Sequence, residues 1–169
     1  DPILSRDKKT ACATCHSEVW GLADGLPLSV GVDGEGPTGP GREGPNVTTR
    51  NAQTLWNVAF RAELFWDGRS PSLEAQALEP IRAERELDMD LDHVVARIDA
   101  APGYESLFRA AFPDEVEPVS AANVAKALAA FQRSFVSNRA PYDQYVKGDA
   151  NALSEDQLAG MQLFADAGC

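Results

Sequence analysis

Several things are scarce in this chain of 169 residues. It has three cysteines, two methionines and two histidines. Three cysteines are too few for a disulfide scaffold. No apolar run approaches the length of a membrane-spanning helix. No alternating strand pattern stands out, and no internal repeat appears, which argues against sheet and solenoid architectures. Basic residues are the minority: 15 Lys and Arg stand against 26 Asp and Glu, a formal charge of −11. That balance excludes non-specific nucleic-acid binding and suits a cationic partner. What remains is ordinary for one globular domain, with 44% hydrophobic and 24% charged residues.

Two of the cysteines and one histidine fall together, in Cys12-Ala13-Thr14-Cys15-His16. C-x-x-C-H is the attachment pattern of a c-type haem. Thiols three residues apart share one face of a helical turn, so each can form a thioether to one vinyl group of the same porphyrin. His16 follows as the proximal iron ligand. A zinc site would need four ligands, and the remaining Cys169 and His93 are remote. A thioredoxin-like pair would sit near a βαβ pattern, and none is evident. The odd cysteine, Cys169, follows Gly168 at the end of the chain. It reads as the first cysteine of a second haem motif, with the sequence a piece of a longer chain. Covalent haem attachment implies export, in bacteria to the periplasm, with the leader removed.

The coarse reading is mostly α around a haem. Trp20 to Asn46 is dense in Gly and Pro and holds neither helix nor interior strand. Within it, residues 33–45 read as a flexible surface loop. Asn51 to Phe60 reads as a short helix and a turn. Ser70 and Pro71 read as N-cap and first residue of a helix ending near Pro80. Asp90 caps a helix carrying Leu91, Val94, Val95 and Ile98 on one face. Tyr104 to Phe112 is stopped by Pro113. Ser120 opens the longest helix, with Val124, Leu128, Phe131 and Phe135 as its stripe. Pro141 to Lys147 closes at Gly148. Ser154 to Gln157 is a capping box for a last helix whose apolar face is Leu158, Met161 and Phe164.

Taken in order, these segments resemble the bacterial di-haem cytochrome c peroxidase/MauG family. The resemblance rests on Leu4-Ser5-Arg6-Asp7 before the Cys12–His16 motif, Ser29-Val30-Gly31, Arg50-Asn51-Ala52 and Phe65-Trp66-Asp67-Gly68-Arg69. It continues through Glu74 to Ile81, Tyr145 to Asp149, Leu163-Phe164 and Gly168-Cys169. It implies a cytochrome c-like haem domain over residues 1–168, the N-terminal peroxidatic half of a protein with a second haem domain from Cys169. Gln76, Pro80 and Glu86 would line the distal side of the haem, Trp66 would lie between two haems, and Asn51 would be one ligand of an inter-domain calcium ion. Hydrogen peroxide would be the substrate, a small cytochrome c or cupredoxin the electron donor, and the assembly a homodimer. A MauG-like enzyme oxidising a protein or organic substrate through a high-valent haem is the near alternative. A plain electron-transfer cytochrome c is the alternative of another class, and it would need a strong sixth ligand.

One departure from the resemblance bears on that choice. Many family peroxidases carry a second His on the loop after Ser-Val-Gly, where it caps the resting iron. Here that position is Val32, and the loop on to Asn51 has no His. His93 reads as a surface residue, and neither Met89 nor Met161 is a convincing ligand. The resting ferric haem is therefore predicted to be high-spin, five-coordinate or water-ligated. EPR and optical spectra test this, and a low-spin His/His or His/Met signature overturns it.

Overall fold

A computed structural model describes residues 1–168; Cys169, read above as the start of a second haem motif, lies outside the described residues. The chain forms two compact units, Asp1–Phe135 and Val136–Cys169. Seven α-helices occur among the described residues: α1 (Cys12–Cys15), α2 (Leu73–Arg82), α3 (Leu91–Asp99), α4 (Tyr104–Ala111), α5 (Ala121–Arg133), α6 (Pro141–Val146) and α7 (Glu155–Asp166). Short 3-10 turns add Pro2–Leu4, Glu18–Trp20 and Val58–Phe60. Only isolated antiparallel bridges are present among the described residues, such as Val30 with Val47 and Leu64 with Ser70. Among the described residues no helix is long and apolar enough to cross a membrane.

The main core of the first unit joins Leu4, Ile81, Leu87, Val94, Ile98, Phe108 and Val124. α2 packs on α5, and α3 on α4 and α5. The sequence accounts for most of this directly. Asp90 caps α3, its carboxylate accepting from the N–H groups of Asp92 and His93, and Val94 and Ile98 face inward at helical spacing. Ser120 caps α5 through Asn123 N–H, and α4 ends just before Pro113.

Four expectations are corrected. Residues 51–55 are not helical, and only Val58–Phe60 makes a turn. Their polar groups serve distant partners: Asn51 C=O accepts from Trp66 Nε1, Thr54 Oγ1 donates to Gly21 C=O, and Asn57 N–H donates to Phe135 C=O. The cap of α2 is Ser72, not Ser70, and the helix runs through Pro80 to Arg82. Ser72 Oγ takes the Ala75 N–H, whereas Ser70 Oγ donates to Ser72 C=O. The apolar stripe of α5 is shifted, burying Val124, Ala125 and Ala129 while Phe131 is 62% exposed and stacks edge-on against Phe135. Finally, the 33–45 loop lies at the surface but is anchored. Arg42 donates to the carbonyls of Val30 and Gly31, and Glu35 pairs with Glu43 through backbone bonds.

In the second unit, Pro141 opens α6, Gly148 (φ +105°) follows it, and Ser154 with Gln157 forms the expected capping box of α7. Met161, Leu163 and Phe164 are exposed, so the apolar face read on α7 is not buried within that unit.

The segment leading to α1 is organised by one carboxylate. Asp7 Oδ1 accepts from Lys9 N–H, Thr10 N–H and Ser5 Oγ, and Oδ2 accepts from Thr10 Oγ1 and Asp33 N–H. Burial opposes ionisation of Asp7, but the N–H groups of Thr10, Lys9 and Asp33 outweigh it. They hold the carboxyl well below the ordinary carboxylate range. A depressed carboxyl stabilises the fold above the unfolded-state pKa of about 3.9, and that contribution is lost as pH falls through the folded value. Asp7→Asn turns an amide N–H toward the Asp33 N–H. It should cost about 1–3 kcal/mol at pH 7. Urea midpoints for the two proteins should differ at pH 7, and the gap should narrow progressively as pH falls from about 4 towards the folded-state value; a gap that does not narrow over that range would refute the assignment.

Candidate haem site

α1 is a single turn, closed by Thr14 N–H and His16 N–H donating to the carbonyls of Ala11 and Cys12. Cys12 and Cys15 stand one turn apart on it, both as free thiols. Burial, followed by the negative Asp24 and Glu86, pushes the Cys15 thiol up to about 12.

His16 is oriented by the turn that follows. Ser17 N–H donates to Ala23 C=O and Leu22 N–H to Ser17 C=O, and together they swing Leu22 into a left-handed conformation (φ +60°). That conformation is unfavourable for a branched residue. Burial of the Leu22 side chain, 3% exposed, offsets it. The Leu22 carbonyl then lies 3.0 Å from His16 Nδ1. Burial lowers the pKa of the ring and favours the neutral form. In the tautomer that donates Nδ1–H to this carbonyl, Nε2 carries the lone pair a metal ligand needs; the Gln53 backbone also lies against the ring.

Beside His16 and Cys15 opens a cavity of about 590 Å³, within the range of cofactor clefts. The structure brings Gln76, Pro80, Glu86, Trp66 and Asn51 to its lining, although they are spread over three segments of chain. Cys12 is not in the lining. Gln76 and Pro80 are one turn apart on α2. Glu86 follows α2 on a turn fixed by Glu86 N–H donating to Ala83 C=O and Leu87 N–H to Pro80 C=O. Glu86 is half-buried. Desolvation raises its pKa, Arg69 opposes and Glu79 adds to the rise. Trp66 is 60% exposed, not a core aromatic. It is tied to its neighbouring motif twice, by Nε1–H to Asn51 C=O and by Asp67 to Arg50 at 2.8 Å.

Val32, where the resemblance would place a second histidine, is fully buried and outside the lining. No methionine and no second histidine is in the lining; His93 stands with its side chain 80% exposed, and Met89 belongs to the core. Three further lining residues were given no site role in the sequence reading. Arg69 sits 3.5 Å over the Phe65 ring and pairs with Asp67. Gln132 is 8% exposed, with an unpartnered Oε1. Ser29 is also buried with an unpartnered hydroxyl. The polar break that Gln132 makes in the buried face of α5 was the available clue.

A paired thiol turn, an imidazole oriented by the Leu22 carbonyl and an adjoining cofactor-sized cavity fit a c-type haem. The fold and site define a helical haem-binding domain. Residues 1–151 match the family model described as di-haem cytochrome c peroxidase, and the chain belongs to that family, which implies haem c as cofactor. It is 45% identical over its full length to the methylamine utilization protein MauG of Methylorubrum extorquens, covering 45% of that protein. It is 38% identical to the cytochrome c551 peroxidase of Pseudomonas aeruginosa, covering all of this chain and 46% of that one. Among solved structures, a MauG-like protein associated with microbial copper homeostasis superposes with a TM-score of 0.82 at 30% identity, over 97% of this chain and 45% of that one. The chain thus spans about half the length of the curated relatives it matches.

Proposed function

We propose that this chain is the N-terminal, peroxide-binding half of a periplasmic di-haem peroxidase. The observation that carries the reading is the gathering of Glu86, Gln76 and Pro80 with His16 around one cavity. Cys12 and Cys15 would form the thioethers and His16 Nε2 would ligate the iron. Haem, when bound, would supply the redox chemistry for the two-electron, two-proton reduction of peroxide to two waters. Glu86 carboxylate would accept a proton from one oxygen of the peroxide and return it to the other. A carboxyl with a raised pKa suits both steps. The Gln76 amide N–H would donate to a peroxide oxygen in the cavity, and Pro80 presents an apolar wall with no N–H to compete.

Electrons would come from a small cytochrome c or cupredoxin by way of a second haem, with Trp66 helping them pass, and the working assembly would be a homodimer. Asn51 supplies one ligand of an inter-domain calcium ion. Among the described residues no group of three His, Cys, Asp or Glu is placed to hold a metal, and one amide oxygen makes no calcium site by itself. A second reading, long-range oxidation of a protein or organic substrate, is favoured by the greater identity to a MauG protein, 45% against 38% for the cytochrome c551 peroxidase.

Glu86→Gln should slow the first reaction with peroxide by roughly a hundredfold or more in stopped-flow mixing, with the resting spectrum retained. The wild-type rate should fall on acidification as Glu86 protonates, at a pH above the ordinary glutamate value of 4.5, and the variant should lose that limb. An unchanged rate removes Glu86 from the proton path. Replacing both Cys12 and Cys15 by Ser should leave no haem on the polypeptide in a denaturing gel stained for haem. Retention of the stain would refute the thioether assignment.

A further inference from the structure

We propose that Arg42 is a positioning residue for Glu86, and that the glycine-rich stretch is a brace that carries its effect to that carboxylate. The inference rests on the reading of Glu86 as the proton carrier. It concerns how the residue is held.

Three sets of contacts meet at the segment Val30–Val32. On the site side, Gly31 lies directly on the backbone that carries Glu86. A Cβ at Gly31 would stand 2.1 Å from Arg85 C=O and 2.7 Å from Glu86 C=O. Only glycine permits that approach, and here the reason is contact, since its φ is not in the left-handed region. Next to it, Val32 N–H donates to Glu86 C=O at 2.9 Å, with the Val32 side chain fully buried. On the outer side, Arg42 grips the same segment. Its Nε donates to Val30 C=O at 2.9 Å and its Nη2 to Gly31 C=O at 3.1 Å.

The stretch is shaped around this guanidinium. A Cβ at Gly34 would lie 2.7 Å from Arg42 Nη2. Asn46 completes the clamp, its Nδ2 donating to Val32 C=O and its C=O accepting Gly31 N–H. The recorded hydrogen bonds of the Arg42 side chain go to backbone carbonyls and the Thr10 hydroxyl, not to a carboxylate. A surface cation with that pattern acts as a two-pronged donor to the main chain. Remove it, and two carbonyls lose their charged donors while Gly31 and Val32 lose their outer support. Glu86 C=O then loses the Val32 N–H, and the carboxylate is free to drift. A misplacement of about 1 Å can cost about a hundredfold in rate.

The test uses the full-length, haem-loaded protein carrying Arg42→Met, Arg42→Lys and Glu86→Gln, alone and combined. Backbone hydrogen exchange is read at Val32, and the first reaction with peroxide is followed by stopped flow. Arg42→Met should speed exchange at Val32 and slow the reaction about tenfold. Arg42→Lys, which keeps the charge but lacks the fork, should recover part of both. In the Glu86→Gln background, Arg42→Met should add almost nothing, because its effect passes through a carboxylate no longer present. Equal slowing in both backgrounds, or unaltered exchange at Val32, overturns the brace. If Glu86→Gln alone leaves the rate unchanged, the proton-carrier reading falls, while the Val32 exchange still reports on the brace. Should Arg42→Met fail to fold, Asn46→Ala removes the other side-chain donor to the segment and carries the same comparison.

Discussion

The Asp7 carboxylate is the constraint on which the rest of the first unit depends. Five hydrogen bonds converge on it, from Ser5, Lys9, Thr10 and Asp33. Four come from the chain leading into the haem-binding turn, and one comes from the glycine-rich segment. Arg6 extends the knot by pairing with both Asp33 and Asp88, and its N–H donates to Leu87 C=O. The segments carrying His16 and Glu86 are thereby sutured within a few residues of each. An ionised carboxylate can do this because it offers acceptors only, and backbone N–H groups in an irregular stretch have no helix to satisfy them.

From that knot the site is assembled by two kinds of contact. α2 is placed by burial: Leu73, Ala77 and Ile81 face the core, which turns Gln76 and Pro80 to the cavity. Glu86 and His16 are placed by backbone hydrogen bonding, in turns with little apolar surface of their own. Packing sets position to within what side chains can absorb. A network of bonds to main-chain carbonyls sets orientation as well. The imidazole and the carboxylate both need orientation, and both are held through carbonyls, those of Leu22 and Glu86.

This division also explains what could be read from the sequence. The helices with a cap, a helical apolar period and a stop residue were legible, α3 most clearly, and α4 was legible from its stop residue, Pro113. So were the haem turn and the set of residues that surrounds the cavity, the former through motif spacing and the latter through family resemblance. Residues 51–55 were misread as helix because their pattern resembles one, while Thr54, Asn51 and Asn57 find partners far along the chain. The Ser70 cap was misread because Ser70-Pro71 and Ser72 offer the same local chemistry. Only tertiary placement decides between them. The 33–45 loop was taken for a free surface excursion because Gly and Pro exclude regular structure. They do not exclude order, and a single half-buried arginine packed among glycines supplies it.

Arg69 shows how the cavity reconciles two opposing demands on Glu86. A cation in the lining pulls a carboxyl toward ionisation, and burial with Glu79 nearby pushes it back. Were Arg69 free, its pull would be strong in a partly desolvated site. It is instead shared. Its guanidinium lies on the Phe65 ring at 3.5 Å and bonds both oxygens of Asp67, which also holds Arg50. Asp67 is kept ionised by those partners, at about 2 despite its own desolvation. Its charge therefore neutralises part of Arg69 over the whole working range of pH. Glu86 is left with its pKa raised, able to take a proton and give it back. The Phe65-Trp66-Asp67-Gly68-Arg69 turn thus acts on the site through charge as well as through its indole. Its left-handed residues, Phe65 and Gly68, are the local cost of folding that compensation into five consecutive positions.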